Sequence, residues 1–453
     1  MSNSRENALP VVTERSEQEL RALAQQTLEL AQRHGADAVE VGVSRSSGLS
    51  VTVRMGEVET VEYNRDKNLV VSVYLGRSTG SASTSDFART SIEDTVRAAC
   101  AIAKYTAADP CAGLADPKRL ATAALDLDLY HPWPLTLEGA IDIATQCENA
   151  ARALDSRIKN SEGATVNSHE GQEVYANSHG FVGANAGSRH SISCAVIGEQ
   201  DGAMQRDYWY SAHRLHDKLQ AAGEVGQIAA RRTVRRLGAR KITTCRTPVI
   251  YEAPVAGGLL SHLVSALRGG NLYRRASFLL DHKGEQVFPD WVHIHEQPHL
   301  PQASGSAWFD NEGVATQARD LVRQGVIQDY VLDTYSACKL GAETTGNAGG
   351  VRNLAIEANG GGLEALLREM DRGLLVTELI GHGINMVTGD YSRGAAGFWV
   401  EHGEIQYPVE EITVAGNLKE IYRQLSRVGS DVDMRGNLRT GSWLIADIAV
   451  AGT

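Results

Sequence analysis

Val39-Glu-Val-Gly-Val43 and Leu49-Ser-Val-Thr-Val53, followed by Val58-Glu-Thr-Val-Glu-Tyr63 and Leu69-Val-Val-Ser-Val-Tyr-Leu75, decide the fold class. Apolar side chains recur at every second position, the period of a strand that buries one face and wets the other. Gly56-Glu57 turns the chain between segments and a Ser/Thr-rich strand follows, which together read as an antiparallel meander. Upstream the period is helical. Leu20, Leu23, Ala24, Leu28 and Ala31 share one face, Ser16-Glu-Gln-Glu19 reads as a capping box, and Gly35 ends the helix. A second helix, from about Ser91 to Lys104, closes the unit.

The same order recurs. Asp109-Pro110, Asp116-Pro117 and Tyr130-His-Pro-Trp-Pro134 mark linkers, and a helix is expected over Leu137–Leu154. A meander follows through Glu173-Val-Tyr-Ala-Asn and Ser191-Ile-Ser-Cys-Ala-Val-Ile197, then a long helix from about His216 to Leu237. Helix–meander–helix thus occurs twice, a weak repeat in pattern only. Beyond Thr247 the chain becomes Gly-rich and strand-rich, with helices expected near Pro254–Leu267, Leu363–Met370 and Leu418–Ser426. The fold class is α+β: an antiparallel-sheet N-terminal region with flanking helices plus a β-rich, Gly-rich C-terminal domain. The expected division is a disordered tail at 1–15, α+β units at 16–108 and 118–240, and the β-rich domain at 245–453.

The 453 residues carry 44 Lys+Arg against 55 Asp+Glu, a net charge of −11, which argues against nucleic acid as the main partner. The basic run Arg231-Arg-Thr-Val-Arg-Arg236 reads as a solvated helix end, where cations meet the C-terminal dipole. Nothing approaches the roughly 20 apolar residues of a membrane span. The six cysteines are scattered without a CxxC pair and the N-terminus has no apolar leader, so free thiols in a reducing cytoplasm are expected.

Four constellations could carry chemistry. His295-Glu-Gln-Pro-His299 satisfies HExxH, but Pro298 inside it would cost a helix about 3 kcal/mol or more. A loop-borne metal site built from His293, His295 and His299 stays open, beside the plainer reading of a surface loop with exposed histidines. His262 stands alone on the apolar helix 254–267, with Ser265, Ala266 and Leu267 at i+3 to i+5, and reads as a core histidine. Thr344-Thr-Gly-Asn-Ala-Gly-Gly350 and Asn359-Gly-Gly-Gly362 match neither phosphate-binding glycine pattern. The missing Cβ atoms suit close approach of an extended peptide or partner backbone instead. Gly381-His-Gly383 with Ser392 lacks the GxSxG elbow, and its glycines read as turns.

Phe309-Asp-Asn-Glu-Gly-Val-Ala-Thr316, Gly325-Val-Ile-Gln-Asp-Tyr-Val-Leu-Asp-Thr-Tyr335 and Lys339-Leu-Gly-Ala-Glu-Thr-Thr-Gly-Asn-Ala-Gly-Gly350 resemble the PmbA (TldE) branch of the TldD/PmbA family. Glu296-Gln-Pro-His-Leu300, Gly381-His-Gly-Ile-Asn-Met-Val-Thr-Gly-Asp-Tyr-Ser-Arg-Gly394 and the C-terminal Gly441-Ser-Trp-Leu-Ile extend the resemblance over nearly the whole chain. It implies a cytoplasmic subunit of a bacterial or archaeal metalloprotease, a family that also bears the label modulator of DNA gyrase. In the TldD branch a helix with HExxxH and a C-terminal cysteine hold zinc. The TldD and PmbA chains form a complex that trims unfolded or extended peptides, including microcin precursors and a labile antitoxin.

Aligned on Arg274-Arg275, the resemblance puts Ser261 and Ala266 where that branch has histidines and His262 where it has glutamate. No cysteine follows Cys338, so the thiolate ligand is missing too. The resemblance therefore assigns no catalytic, cofactor or metal residue to this chain, and zinc is expected in a TldD-like partner within a heterodimer or larger assembly. A homodimer of the lone chain stays open. So do two other functions: an independent metallopeptidase using His293, His295 and His299, and a non-catalytic regulatory binding protein.

Overall fold

The long alternating segments pair end to end. In a computed structural model, which describes residues 12–452, helix α1 (Glu14–Arg33) leads into strands β1 (Ala38–Arg54), β2 (Glu57–Leu75) and β3 (Ser78–Thr84), and helix α2 (Arg89–Tyr105) closes the first group. Helix α3 (Leu137–Leu154), strands β4 (Ile158–Asn177), β5 (Val182–Gln200) and β6 (Ala203–His213), and helix α4 (Ala222–Val234) repeat the order. Antiparallel pairing of β1 with β4 fuses both meanders into one six-stranded sheet, β3-β2-β1-β4-β5-β6. Val39, Val41 and Val43 pack under α1 and α2. Leu49, Val51 and Val53, farther along the same strand, pack under α3 and α4. Gly226 lets α4 meet α3, since a Cβ there would lie 2.0 Å from the Cys147 carbonyl oxygen.

Three expectations shift. The cap of α1 is Thr13 reciprocated by Ser16, three residues upstream of the expected box, while Glu19 pairs with Arg15 and Arg45 instead. The remainder of the tail reading, residues 1–11, lies outside the described residues. Helix α4 starts at Ala222, because His216–Lys218 forms a separate 3-10 turn. Residues 57–68 of β2 are exposed on both faces, since they pack into neither core of the sheet, and β3 pairs only with Leu69–Leu75.

The β-rich part holds strand β7 (Cys245–Tyr251), helices α5 (Ala253–Leu267) and α6 (Gly269–Tyr273), and strands β8 (Ile294–Glu296), β9 (Arg319–Arg323) and β10 (Val326–Ile327). Then come α7 (Thr334–Lys339), β11 (Leu354–Ile356), α8 (Leu363–Met370), β12 (Gly373–Ile380), β13 (Asp390–Glu401) and β14 (Glu404–Asn417). The chain ends through α9 (Leu418–Arg423), β15 (Leu425–Val428), β16 (Leu438–Arg439) and β17 (Trp443–Ala451). Residues 425 and 426, the end of an expected helix, belong to strand β15. Sheet β14-β13-β12-β7-β17-β15 closes on itself through Thr413↔Ala451, making a barrel. A second sheet, β10-β9-β8-β11-β16, shares its core, where Ile294 and Ile356 pack with Leu259, Leu260 and Trp443.

Cys111 and Cys338 are disulfide-bonded, which corrects the free-thiol expectation for that pair; Cys100, Cys147, Cys194 and Cys245 are free. The bond fastens the linker after α2 to α7, across 227 residues of sequence, so spacing gave no sign of it. Among the described residues no helix is long and apolar enough to cross a membrane.

Candidate functional site

Helix α5 begins with Pro254 in its first turn, where the absent amide hydrogen is not needed, and buries Ala256, Leu259, Leu260, Leu263, Ala266 and Leu267. Ser261 and His262 are only partly exposed. The His262 ring meets buried Tyr391 edge-on at 6.2 Å, and among the described residues its buried Nε2 has no hydrogen-bond partner. Burial, then the nearby Arg393 charge, pulls its pKa down to about 4, so the imidazole is neutral. This donor set does not fit zinc. Ser261 and Ala266 stand where a zinc helix presents its two histidines, Ala266 offers no ligand atom, and the one imidazole, His262, takes the place of the glutamate. His262 is a half-buried histidine against Tyr391, without the hydrogen-bond partner that a core histidine is expected to have.

Beside α5 lies a cleft of about 350 Å³ between β6, the end of α4, β12 and the start of α5 itself. Its wall corrects the reading of the basic run. Arg232 reaches Glu252 (3.0 Å) and Asp207 (3.4 Å), and Arg236 reaches Asp207 (3.7 Å) and Glu378 (2.5 Å). Arg235 pairs with Glu252 at 3.4 Å and lies over the Phe398 ring at 4.8 Å. The Arg232 side chain is 12% exposed and that of Asp207 6%. Arg232 and Arg236 form a nearly dry tie between the first sheet and the barrel, because the end of α4 meets β12 through Glu378, while Arg231 stays exposed. Arg435, paired with Asp433, stacks over Trp209 and Tyr210 at 4.2 and 4.1 Å on the same wall.

A second groove, about 520 Å³, runs between the first sheet and the loop 307–312. Glu40 accepts hydrogen bonds from Tyr175 (2.8 Å) and Tyr74 (3.1 Å) here. Glu312 accepts from the Thr334 amide (2.9 Å), while burial, and more weakly Asp310, raises its pKa to about 7. The glycines of 344–350 serve internal packing here: a Cβ on Gly346 would stand 2.7 Å from the Ala315 carbonyl oxygen, and φ is +71°. Asn347 donates to Glu296 at 2.9 Å.

The HExxH histidines are not on a helix. His295 and Glu296 end strand β8, and Glu296 points into the core, bonded to Arg319 (2.9 Å) and to the Arg352 amide (2.5 Å). The structure separates the expected trio. His299 donates to or accepts from Thr316 Oγ1 at 3.0 Å, whereas His293 and His295 converge with Glu357. Among the described residues this is the one group of His, Cys, Asp or Glu with three ligand atoms within 4.8 Å of one another. His295 lies in β8 and His293 immediately precedes it, and both are half-buried rather than exposed as in the plainer reading. Glu357 escaped notice because β11 brings it to β8 from 62 positions away by strand pairing, which no local spacing records. Ser392 is exposed and donates its amide to the Gly383 carbonyl at 2.7 Å; among the described residues no hydrogen bond joins its hydroxyl to His382.

Comparison with known proteins covers the chain. The PmbA/TldA metallopeptidase family matches as domain 1 over residues 39–103, as the central domain over 130–237 and as the C-terminal domain over 244–452. The metalloprotease PmbA homolog of Haemophilus influenzae is 49% identical over 437 residues, 96% of this chain and 97% of its own length. The metalloprotease PmbA of Escherichia coli is 49% identical over 417 residues, 92% and 93% of the two chains. A metalloprotease TldD homolog of Haemophilus influenzae is 24% identical over 322 residues, 66% of this chain and 67% of that one. A Bacteroides thetaiotaomicron structure named as a candidate modulator of DNA gyrase superposes with a TM-score of 0.92 at 30% identity, covering 97% of this chain and 100% of that one.

Proposed function

This chain belongs to the PmbA/TldD metallopeptidase family and to its PmbA (TldE) branch, and from that premise we propose that it is the subunit without hydrolytic zinc in a two-chain peptidase. The zinc and the hydrolysis belong to a TldD-like partner, and the substrates are unfolded or extended peptides. The observation that carries this is α5: it keeps the form of a metal helix but presents Ser261, His262 and buried Ala266. A single neutral imidazole with an unpaired nitrogen can neither hold a metal in a closed donor set nor generate a metal-bound hydroxide.

The chain's own residues then shape and support. The Arg232–Glu252–Asp207 tie fixes the first sheet against the barrel beside α5, and the two grooves give a partner or an extended peptide a shaped surface. We place the work in the cytoplasm. The Cys111–Cys338 bond is the feature a reducing compartment opposes, so the thiol state of freshly isolated protein checks that placement directly.

The test is cleavage of an unstructured peptide by the purified chain, by a TldD-like partner, and by both together. The expected result is no cleavage by this chain alone and chelator-sensitive cleavage by the mixture. That activity should disappear when the partner's zinc ligands are replaced and persist when His293 is replaced here. Cleavage by the lone chain would overturn the assignment.

A further inference from the structure

We propose that His293, His295 and Glu357 form a binding site for a divalent transition metal, with Zn²⁺ the ion that suits it best, on the outer face of the sheet β10-β9-β8-β11-β16. The site is distinct from α5 and independent of the peptidase assignment.

Strand pairing builds it. His293 and His295 stand two positions apart and so project from the same face of the sheet, while Ile294 between them packs inward. Ile294 opposes Ile356 on β11, which carries Glu357 to the side of His293. Glu357 Oε1 lies 3.0 Å from His293 Nδ1 and 3.8 Å from His295 Nδ1. Ligands of a tetrahedral zinc, at their usual bond lengths, stand about 3.3 Å apart. The three atoms therefore need only small side-chain rotations to enclose an ion, with the fourth position open to water.

Two further features point to a metal. His295 Nδ1 is buried and has no hydrogen-bond partner among the described residues, although it faces the Glu357 carboxylate. His293 Nε2 lies 2.7 Å from Asp320 Oδ1, and Arg323 holds the other Asp320 oxygen at 2.6 Å. A carboxylate on one imidazole nitrogen fixes the proton there, so the other nitrogen presents its lone pair, as in carboxylate–histidine–metal arrangements. Two imidazoles and a carboxylate favour zinc, copper or nickel over magnesium or calcium, which take oxygen ligands. Bound there, the ion would clamp β8 to β11, next to Glu296, the residue that anchors Asn347 and the Arg352 amide.

The experiment uses the full chain, tag-free and chelator-treated, titrated with zinc against a chromophoric chelator and separately with Co²⁺. The expected result is one Zn²⁺ per chain and the intense visible absorption of four-coordinate cobalt. His293→Ala and His295→Ala should each weaken binding by at least about 100-fold, and Asp320→Asn by about 10-fold to 100-fold through loss of ring orientation. His299→Ala should leave binding unchanged, which separates this site from one built on the three histidines near in sequence. The cobalt spectrum of the unaltered chain needs no variant, so it answers even where a substitution impairs folding. Absence of stoichiometric zinc, or affinity unchanged in both His293→Ala and His295→Ala, overturns the proposal.

Discussion

Replacing Arg232 by Met removes the hub of the buried tie beside α5 while keeping most of the side chain's apolar length. Arg232 donates to both Glu252 oxygens (3.0 and 3.2 Å) and to Asp207 (3.4 Å). At an effective dielectric constant near 20, an ion pair at 3 Å has a Coulomb energy of about 5 kcal/mol. Desolvation of the two ions consumes most of that, so the intact tie contributes little net stability. Breaking it from one side is another matter, because the acids remain buried. Among the described residues, Glu252 would retain Arg235 at 3.4 Å, and Asp207 would retain Arg236 at 3.7 Å and the Tyr208 amide at 2.7 Å. Those residual partners put the loss at the low end of the usual range for a broken buried pair, about 3 kcal/mol. Urea unfolding of the full chain, followed by tryptophan fluorescence, measures it through the midpoint and slope. Trp209, over which Arg232 stacks at 5.4 Å, makes the probe local. The double variant Arg232→Met/Glu252→Gln removes one charge of each sign and should recover to within about 1 kcal/mol of the starting protein. A cost below about 1 kcal/mol for the single variant, or no recovery in the double, would refute the argument that Arg232 neutralises acids held away from water.

Glu312 gives the opposite pH dependence to an ordinary surface acid. Its pKa rises from 4.5 to about 7 in the fold, so the folded state holds the proton more tightly and stability falls as pH rises through that window, by up to about 3 kcal/mol. Glu312→Gln should flatten the melting temperature between those pH values; an unchanged slope contradicts it. His262 works the other way, since its pKa falls from 6.5 to about 4. The unfolded chain then binds the proton first, so stability is full above 6.5 and is lost as pH falls through the window, by about 2 kcal/mol at pH 5. His262→Gln should abolish that part of the acid sensitivity in melts at pH 7 and pH 5. The Cys111–Cys338 bond closes 227 residues of chain, for which the loop-entropy relation gives at most about 5 kcal/mol. Reductant should lower the midpoint of the unaltered chain but leave a Cys111→Ser/Cys338→Ser variant unmoved, and equal responses of the two would count against the bond.

What could be read from the sequence follows the range of the physical signal. Helices α3 and α8 have the bounds the periodicity predicts, Leu137–Leu154 and Leu363–Met370, since cap and apolar stripe lie within one turn of the residues they order. The meanders were legible because alternation is local too. Pairing between them was not: β1 meets β4 through residues such as Val41 and Ala176, and no repeat of residue identity announces it. The same limit explains the basic run. Arg232 and Arg236 look like a helix end from nearby residues, and Asp207, Glu252 and Glu378, which are distant in the chain, make them interior.

The candidate metal site tests this limit most sharply. Sequence spacing groups His293, His295 and His299, because seven residues hold three imidazoles. The strand period divides them otherwise. Positions 293 and 295 fall on one face, and strand β8 ends at Glu296, so Pro298 and His299 follow a separate path to Thr316. HExxH here records only that a strand ended two residues short of a proline. A motif carries chemistry only in the secondary structure that aims its side chains, and in a strand the third ligand comes from the neighbouring strand. For β8 that neighbour is β11, and the ligand is Glu357.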